Sequence, residues 1–202
     1  MEFSKAIVTI EGIAPYSQSH KHDEPKLEGE GPDAYDARTW RSKMNTAVVN
    51  GKRTMVIPAF GFKMALSEAA KYSKRKIEGQ RGATWTAKFE AGIGMMGDAP
   101  LNVDPDKVEC VVLSMHADGK RGSGARVTRR LPQIPAGWRA TFEVLILDPI
   151  ITESIFREMV ESAGLFKGVG QYRPEKGGSN GRFILKELRW IDNRQQERRK
   201  AA

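Results

Sequence analysis

The residues best suited to chemistry lie in a glycine-rich basic segment near the C-terminal end, residues 168–183. Five of its first fourteen residues are glycine, and glycine lets the backbone approach another group closely or turn successive N–H groups toward an anion. The candidates for contacting phosphates are Arg173, Lys176, Gly177, Gly178 and Arg182, and the candidate for stacking on a base is Tyr172. The glycines follow a predicted helix and precede a predicted strand, so the pattern matches neither a Walker A loop nor a dinucleotide fingerprint. A phosphate-contacting loop and a long flexible connection fit it equally well.

A second basic segment, residues 119–142, contains no acidic residue. Its cations are Lys120, Arg121, Arg126, Arg129, Arg130 and Arg139. Arginine outnumbers lysine here, and the planar guanidinium suits bidentate contacts with phosphate and stacking on bases. We interpret residues 118–137 as a basic loop between two strands that contacts nucleic acid. The alternative is a solvated surface loop.

A third cluster of cations follows the first long predicted helix and consists of Lys74, Arg75 and Lys76. These residues either extend a groove along a phosphate backbone or complement the negative end of the helix dipole. Trp40 is the second candidate for stacking on a base, because it lies close to a strongly polar, acidic segment.

The acidic segment covers residues 20–36 and holds six acidic residues and two lysines. Such a composition predicts a solvated, mobile part of an insertion that spans residues 12–46. His20 and His22 lie beside acidic residues in it, but they have no second pair of ligands at a metal-binding spacing. With three histidines and one cysteine in the chain, no activated nucleophile can be assembled. We therefore expect no enzyme, no metal and no cofactor.

The composition favours a single domain with a polyanionic partner. The chain has 202 residues, 40% of them hydrophobic, and a formal net charge of +8, which suits one folded core and an acidic partner. No apolar run approaches the roughly 20 residues of a membrane span. The N-terminus shows no signal-peptide pattern. We expect a cytoplasmic protein without a membrane partner.

Hydrophobic periodicity predicts an α+β fold. The predicted strands are residues 3–11, 84–90, 107–117, 138–147 and 182–191, and the long helices are residues 58–76 and 153–163. Without the insertions, the order is strand, helix, strand, strand, helix, strand. This is the βαββαβ core of the ferredoxin-like, RRM-type fold. Residues 1–192 are predicted to form one domain, and residues 193–202 a basic tail.

The glycine-rich segment, which ends in Gly181-Arg182-Phe183 at the start of a strand, resembles the signature of the RAMP superfamily of CRISPR subunits. Residues 129–138 and 168–183 also resemble uncharacterised phage and prophage proteins. The resemblance implies an RNA-recognition-like fold that follows a single strand and stacks with copies of itself. It also implies that the basic loop at residues 118–137 corresponds to the protruding thumb of RAMP backbone subunits.

The residues and the resemblance together predict a sequence-tolerant binder of single-stranded RNA or DNA, of phage or mobile-element origin. Its partners would be the strand, further copies of the chain and CRISPR-type subunits. One alternative is a module that mimics or inhibits CRISPR subunits through the acidic segment. Another is a metal-independent endoribonuclease, since RAMP processing enzymes use a histidine as general base, a role open to His116 or His20.

Overall fold

A computed structural model describes residues 3–116 and 124–192 of the chain. The first half contains β1 (Ser4–Gly12), β2 (Tyr16–Ser17), α1 (Pro32–Thr39), a 3-10 turn (Trp40–Lys43), β3 (Thr46–Val49), β4 (Lys52–Ile57), α2 (Ala59–Ser73), α3 (Trp85–Ala91), β5 (Ile93–Met95) and β6 (Ala99–Pro100). The second half contains a 3-10 turn (Pro105–Lys107), β7 (Glu109–His116), β8 (Arg126–Ile134), β9 (Arg139–Ile146), α4 (Glu153–Ser162), a π-helical turn (Ala163–Lys167), a 3-10 turn (Pro174–Lys176) and β10 (Phe183–Ile191).

The centre of the protein is a four-stranded antiparallel sheet in the order β10-β1-β9-β5. Helix α2 lies between β1 and β5 in the chain, and α4 lies between β9 and β10. The central elements therefore follow the order βαββαβ. The α+β ferredoxin-like core predicted from the sequence is confirmed.

Alternation along the central strands explains why the two helices cover one face of this sheet. Every second residue of β1 is buried, including Val8 and Ile10, because successive side chains of a strand point to opposite faces. On β9 the buried series includes Phe142. The ring of Phe62 from α2 stacks on Phe142 with centroids 4.1 Å apart, and Phe156 of α4 is fully buried.

The prediction of a strand at residues 84–90 is wrong, because this segment contains helix α3. Trp85 and Phe89 are buried and lie four residues apart, a spacing that places two residues on one face of either a helix or a strand. A strand would also bury Ala87, which is exposed. The second strand of the core is instead β5, which has three residues and is too short to show a period.

The prediction of a loop at residues 118–137 is wrong over Arg126–Ile134, which form β8. This strand pairs with β7 in continuous register, from Glu109 opposite Gln133 to His116 opposite Arg126. Pro132 suggested a loop, but β2 pairs with β8 only at Gln133 and Ile134. Proline is tolerated in strands that have a partner on one side.

The predicted insertion at residues 12–46 packs against the fold near both of its ends. Tyr16, Ser17 and Gln18 are buried, and so is Asp36. The prediction of a solvated segment at residues 20–36 is therefore wrong at Asp36, whereas residues 23–29 are exposed. Helix α1 and the 3-10 turn after it contact β8. In the part of the chain that the structure describes, no helix is long and apolar enough to span a membrane.

Candidate nucleic-acid interface

The hairpin of β7 and β8, which we call the basic hairpin, presents arginines on both of its faces. Arg126 and Arg130 lie on one face of β8 and Arg129 on the other, because strand side chains alternate. Arg126 donates from Nε and Nη2 to the hydroxyl and the carbonyl of Ser114, each at 3.1 Å. The Arg129 side chain is 47% exposed and reaches the Asp36 carboxylate only at 4.0 Å. Both arginines are exposed.

Arg130, a predicted phosphate contact, is ion-paired within the protein. Its Nη1 donates to Asp33 Oδ1 at 2.9 Å and lies 3.8 Å from Asp36 Oδ2. The hydrogen bond with Asp33 raises the pKa of the Arg130 guanidinium above its usual value. This arginine therefore links the basic hairpin to helix α1. Lys120 and Arg121 lie outside the described residues.

Asp36 is the buried counterpart of these cations. Its side chain is 2% exposed, and its Oδ1 accepts a hydrogen bond from Lys43 Nζ. Its Oδ2 accepts from the backbone N–H of Arg130 at 2.6 Å. Lys43 donates in addition to the carbonyl of Arg130 at 2.9 Å. The acidic segment thus holds the middle of the basic hairpin, at Arg130, through buried, charged hydrogen bonds.

The glycine-rich segment is packed against its own chain rather than being a flexible connection. The N–H of Gln171 donates to the carbonyl of Ser17 at 2.7 Å, and that of Gly181 donates to Pro15 at 2.7 Å. A Cβ at Gly170 would lie 2.2 Å from the Ser17 carbonyl oxygen, and one at Gly181 would lie 1.8 Å from a backbone oxygen. These close approaches account for two of the glycines without any ligand.

The predicted site residues of the glycine-rich segment have varied surroundings. A Cβ at Gly178 would lie 1.9 Å from the carbonyl oxygen of Tyr172, so this glycine is also needed for packing. Tyr172 itself is half-buried with φ of +57°, and Gly177 has φ of +78°. Lys176 is exposed and lies 3.8 Å from Glu175.

Arg173 and Arg182 are oriented by neighbouring groups of the chain. Arg173 donates from Nε to Glu175 at 2.8 Å and from Nη1 to the carbonyl of Gly170 at 3.0 Å. Arg182 donates from Nε to the carbonyl of Leu165 at 3.1 Å. Arg173 lines a cleft and is the cation of the glycine-rich segment that does so.

The cleft lies between the glycine-rich segment, the residues around β2 and the start of α2, and its volume is about 370 Å³. Phe60 lines it and is 71% exposed. Gln18 and Asn45 supply amides, and Tyr16 is a buried aromatic in its wall. Sequence reasoning missed all four. Phe60 carried a detectable signal, because Phe60 and Phe62 cannot both face the core from one helix.

The remaining predicted residues do not converge on the cleft. Lys74 follows the last residue of α2 and has φ of +50°, and Arg75 forms an ion pair with Glu158. The backbone of Lys76 forms an isolated antiparallel β-bridge with Thr84. Arg139 pairs with Glu11 at 2.6 Å, and Trp40 packs on the core with the Arg41 guanidinium 4.2 Å from its ring centroid. Of these described residues, none lines the cleft. Within residues 3–116 and 124–192, no three histidine, cysteine or acidic side chains cluster as metal ligands.

No protein-family model matches the chain, and no curated protein sequence matches it. Among solved structures, it is similar to a chain of the Type III-B Cmr-beta complex bound to cognate target RNA, with 14% identity and a TM-score of 0.51. That similarity covers 95% of this chain and 61% of the other chain, so this protein spans about three fifths of that relative. It is also similar to Cmr6 from Pyrococcus furiosus, with 13% identity, a TM-score of 0.51, and coverage of 92% of this chain and 100% of Cmr6. The chain therefore has the RAMP-like fold that the sequence resemblance implied.

Proposed function

We propose that this protein binds single-stranded nucleic acid, with RNA as its preferred strand, through the basic hairpin and the cleft beside the glycine-rich segment. The observation that carries the proposal is the state of Arg126 and Arg129 on the hairpin. Both are exposed, and neither has a carboxylate closer than 4.0 Å among the described residues. Guanidinium groups held in this way suit phosphate oxygens.

The arrangement favours backbone contacts over recognition of a base sequence. The arginines lie on both faces of a two-stranded hairpin, so a flexible strand can pass around it, whereas a rigid duplex meets one face. Phosphate contacts give affinity without sequence information. RNA is favoured over DNA because a similar chain belongs to a complex bound to target RNA.

A second candidate function is membership of a CRISPR-type assembly or interference with one. The similarity to a Cmr-beta chain and to Cmr6 favours protein partners of that type. Mimicry of nucleic acid by the acidic segment is less favoured, because Asp33 and Asp36 pair with Arg130 and Lys43 of the same chain, and Glu30 pairs with Arg38. We assign no catalytic step to the protein.

The salt dependence of binding tests the proposal. The Arg126→Ala/Arg129→Ala variant should bind a fluorescent 20-nucleotide RNA more weakly. The slope of log K against log salt is negative, and it should become shallower by about 1.4, since each phosphate contact with a single strand contributes roughly −0.7. Fluorescence anisotropy across a salt series measures both quantities. RNA that co-purifies with protein prepared without nuclease would support the same conclusion.

The matched control removes two arginines from the core elements. Arg157 of α4 forms an i,i+4 pair with Glu153, and Arg189 lies exposed on β10. The Arg157→Ala/Arg189→Ala variant loses the same net charge, yet it should retain the slope of the parent. Equal slopes for the hairpin variant and the parent would remove the basic hairpin from the interface.

A further inference from the structure

One residue that lines the cleft has a buried amide with unused donor groups. The Gln18 side chain is 3% exposed and lines the cleft. Its Oε1 accepts hydrogen bonds from Asn45 Nδ2 at 2.8 Å and from the Tyr16 hydroxyl at 3.4 Å. Its Nε2 has no partner within the described protein. Buried polar atoms are almost always paired, so an unpaired amide in a cleft wall indicates a ligand group that accepts.

The neighbours of Gln18 fix the orientation of its amide. Asn45 presents an N–H, which requires an oxygen opposite it. Burial, and secondly the charge of Asp98, raises the pKa of Tyr16 above its usual value. The Tyr16 hydroxyl therefore keeps its proton and remains able to donate. A flipped amide would set its own N–H groups against the Asn45 donor, so Nε2 is the end of the side chain that lacks a partner.

The rest of the lining suits a flat, mostly apolar group. Ile57, Ala65 and Val169 contribute apolar wall. Phe60 adds an aromatic ring that is 71% exposed at the start of α2. The volume of about 370 Å³ falls within the roughly 300–1,000 Å³ of small-ligand sites. A phosphate would be a poor occupant, because the charge of Arg173 is already matched by Glu175 at 2.8 Å.

We propose that the cleft holds one base of the bound strand, stacked on Phe60, with a keto oxygen of the base accepting from Gln18 Nε2. This inference rests on the proposed function and adds to it one specific contact with a base of the bound strand. Uracil and thymine fit best, since each carries two keto oxygens. A glutamine recognises adenine through both the oxygen and the nitrogen of the glutamine amide. The amide oxygen of Gln18 already accepts a hydrogen bond from Asn45. The protein thus adds a uracil or thymine preference at one position to contacts with the backbone.

Oligonucleotide binding tests the inference with two variants and one control. The parent should bind a 12-nucleotide oligouridylate about tenfold more tightly than oligoadenylate. Phe60→Ala should weaken oligouridylate binding by about tenfold, the usual scale for loss of one base stack. Gln18→Leu should remove most of the preference for uridine. Tyr72→Ala is the matched control, because Tyr72 is an exposed aromatic of the same helix outside the cleft, and it should bind like the parent.

The outcomes separate this inference from the function on which it rests. If the parent binds neither oligonucleotide, the proposed function fails and the base site fails with it. If it binds both equally and Phe60→Ala matches Tyr72→Ala, strand binding stands and the base site is refuted. Should Gln18→Leu fail to fold, Phe60→Ala and the parent's own preference still decide the question. Uridine 5′-monophosphate should also raise the melting temperature of the parent, and ribose 5-phosphate should not.

Discussion

The buried carboxylate of Asp36 gives the sharpest test of how the acidic segment joins the basic hairpin. In the Asp36→Ala variant, the Lys43 ammonium would lose its charge partner while its side chain stays 9% exposed. The N–H of Arg130 would also lose its acceptor. Breaking a buried ion pair from one side costs about 3–5 kcal/mol. We therefore expect the free energy of unfolding to fall by about that amount.

Two further variants divide this loss between its causes. Asp33→Ala removes a carboxylate whose side chain is 67% exposed, and exposed ion pairs contribute about 0–1 kcal/mol. Asp36→Ala/Lys43→Met removes both buried charges and should recover about half of the loss. The remaining deficit should be about 1–3 kcal/mol, the cost of an unpaired buried N–H.

Urea denaturation followed by tryptophan fluorescence measures all three variants. Trp40 begins the 3-10 turn that carries Lys43, so it reports on this region. A loss below about 1 kcal/mol for Asp36→Ala, the range of a surface pair, would refute the buried linkage. Equal losses for Asp36→Ala and the double variant would also contradict it, because they would leave no penalty for the unpaired Lys43.

Two other predictions concern the glycine-rich segment and the acidic segment. Gly178→Ala should lower the unfolding free energy by about 1–3 kcal/mol, because its Cβ would meet the Tyr172 carbonyl. Gly61→Ala is the control: its Cβ has open space within helix α2, so it should be neutral or stabilising. Thermal denaturation compares the two variants, and equal stabilities would contradict the packing at Gly178. The hydrogen bond with Arg38 lowers the pKa of Glu30 from 4.5 to about 2. Since the fold favours the charged form, the stabilisation from Glu30 is present above pH 4.5 and is lost as the pH falls from there to about 2. An NMR titration of this carboxyl group with a midpoint above 4 would disprove that assignment.

The long central elements were predictable because their burial has a simple period. Residues 3–11 alternate as a half-buried strand should, and β1 occupies Ser4–Gly12. Helix α4 begins where Thr152 accepts a hydrogen bond from the N–H of Ile155, a cap that the sequence indicates directly. Short or ambiguous patterns led to wrong predictions. Strand β5 has only three residues, and the buried pair in α3, Trp85 and Phe89, has a spacing that fits both a helix and a strand.

The cleft was not predictable, because its parts come from distant positions of the chain. Gln18 and Gln171 lie about 150 residues apart in sequence, and they line one cleft because the N–H of Gln171 donates to Ser17. No local pattern marks such a contact. The glycines were correctly singled out as sites of close approach, but the approaching groups belong to the chain itself, such as the carbonyl of Ser17 at Gly170.

The acidic segment and the basic hairpin pair with each other in the structure, and this pairing changes the role expected of each. The sequence suggests that the acidic segment and the basic hairpin act separately, one solvated and one bound to nucleic acid. In the structure Asp33 and Asp36 pair with Arg130, and this arginine connects helix α1 to the middle of β8. Arg126 and Arg129 lie between Arg130 and the tip of the hairpin, and both are exposed. In the proposed mode of binding, the acidic segment contributes without contacting nucleic acid, because it holds the middle of the hairpin through Arg130 and leaves Arg126 and Arg129 exposed.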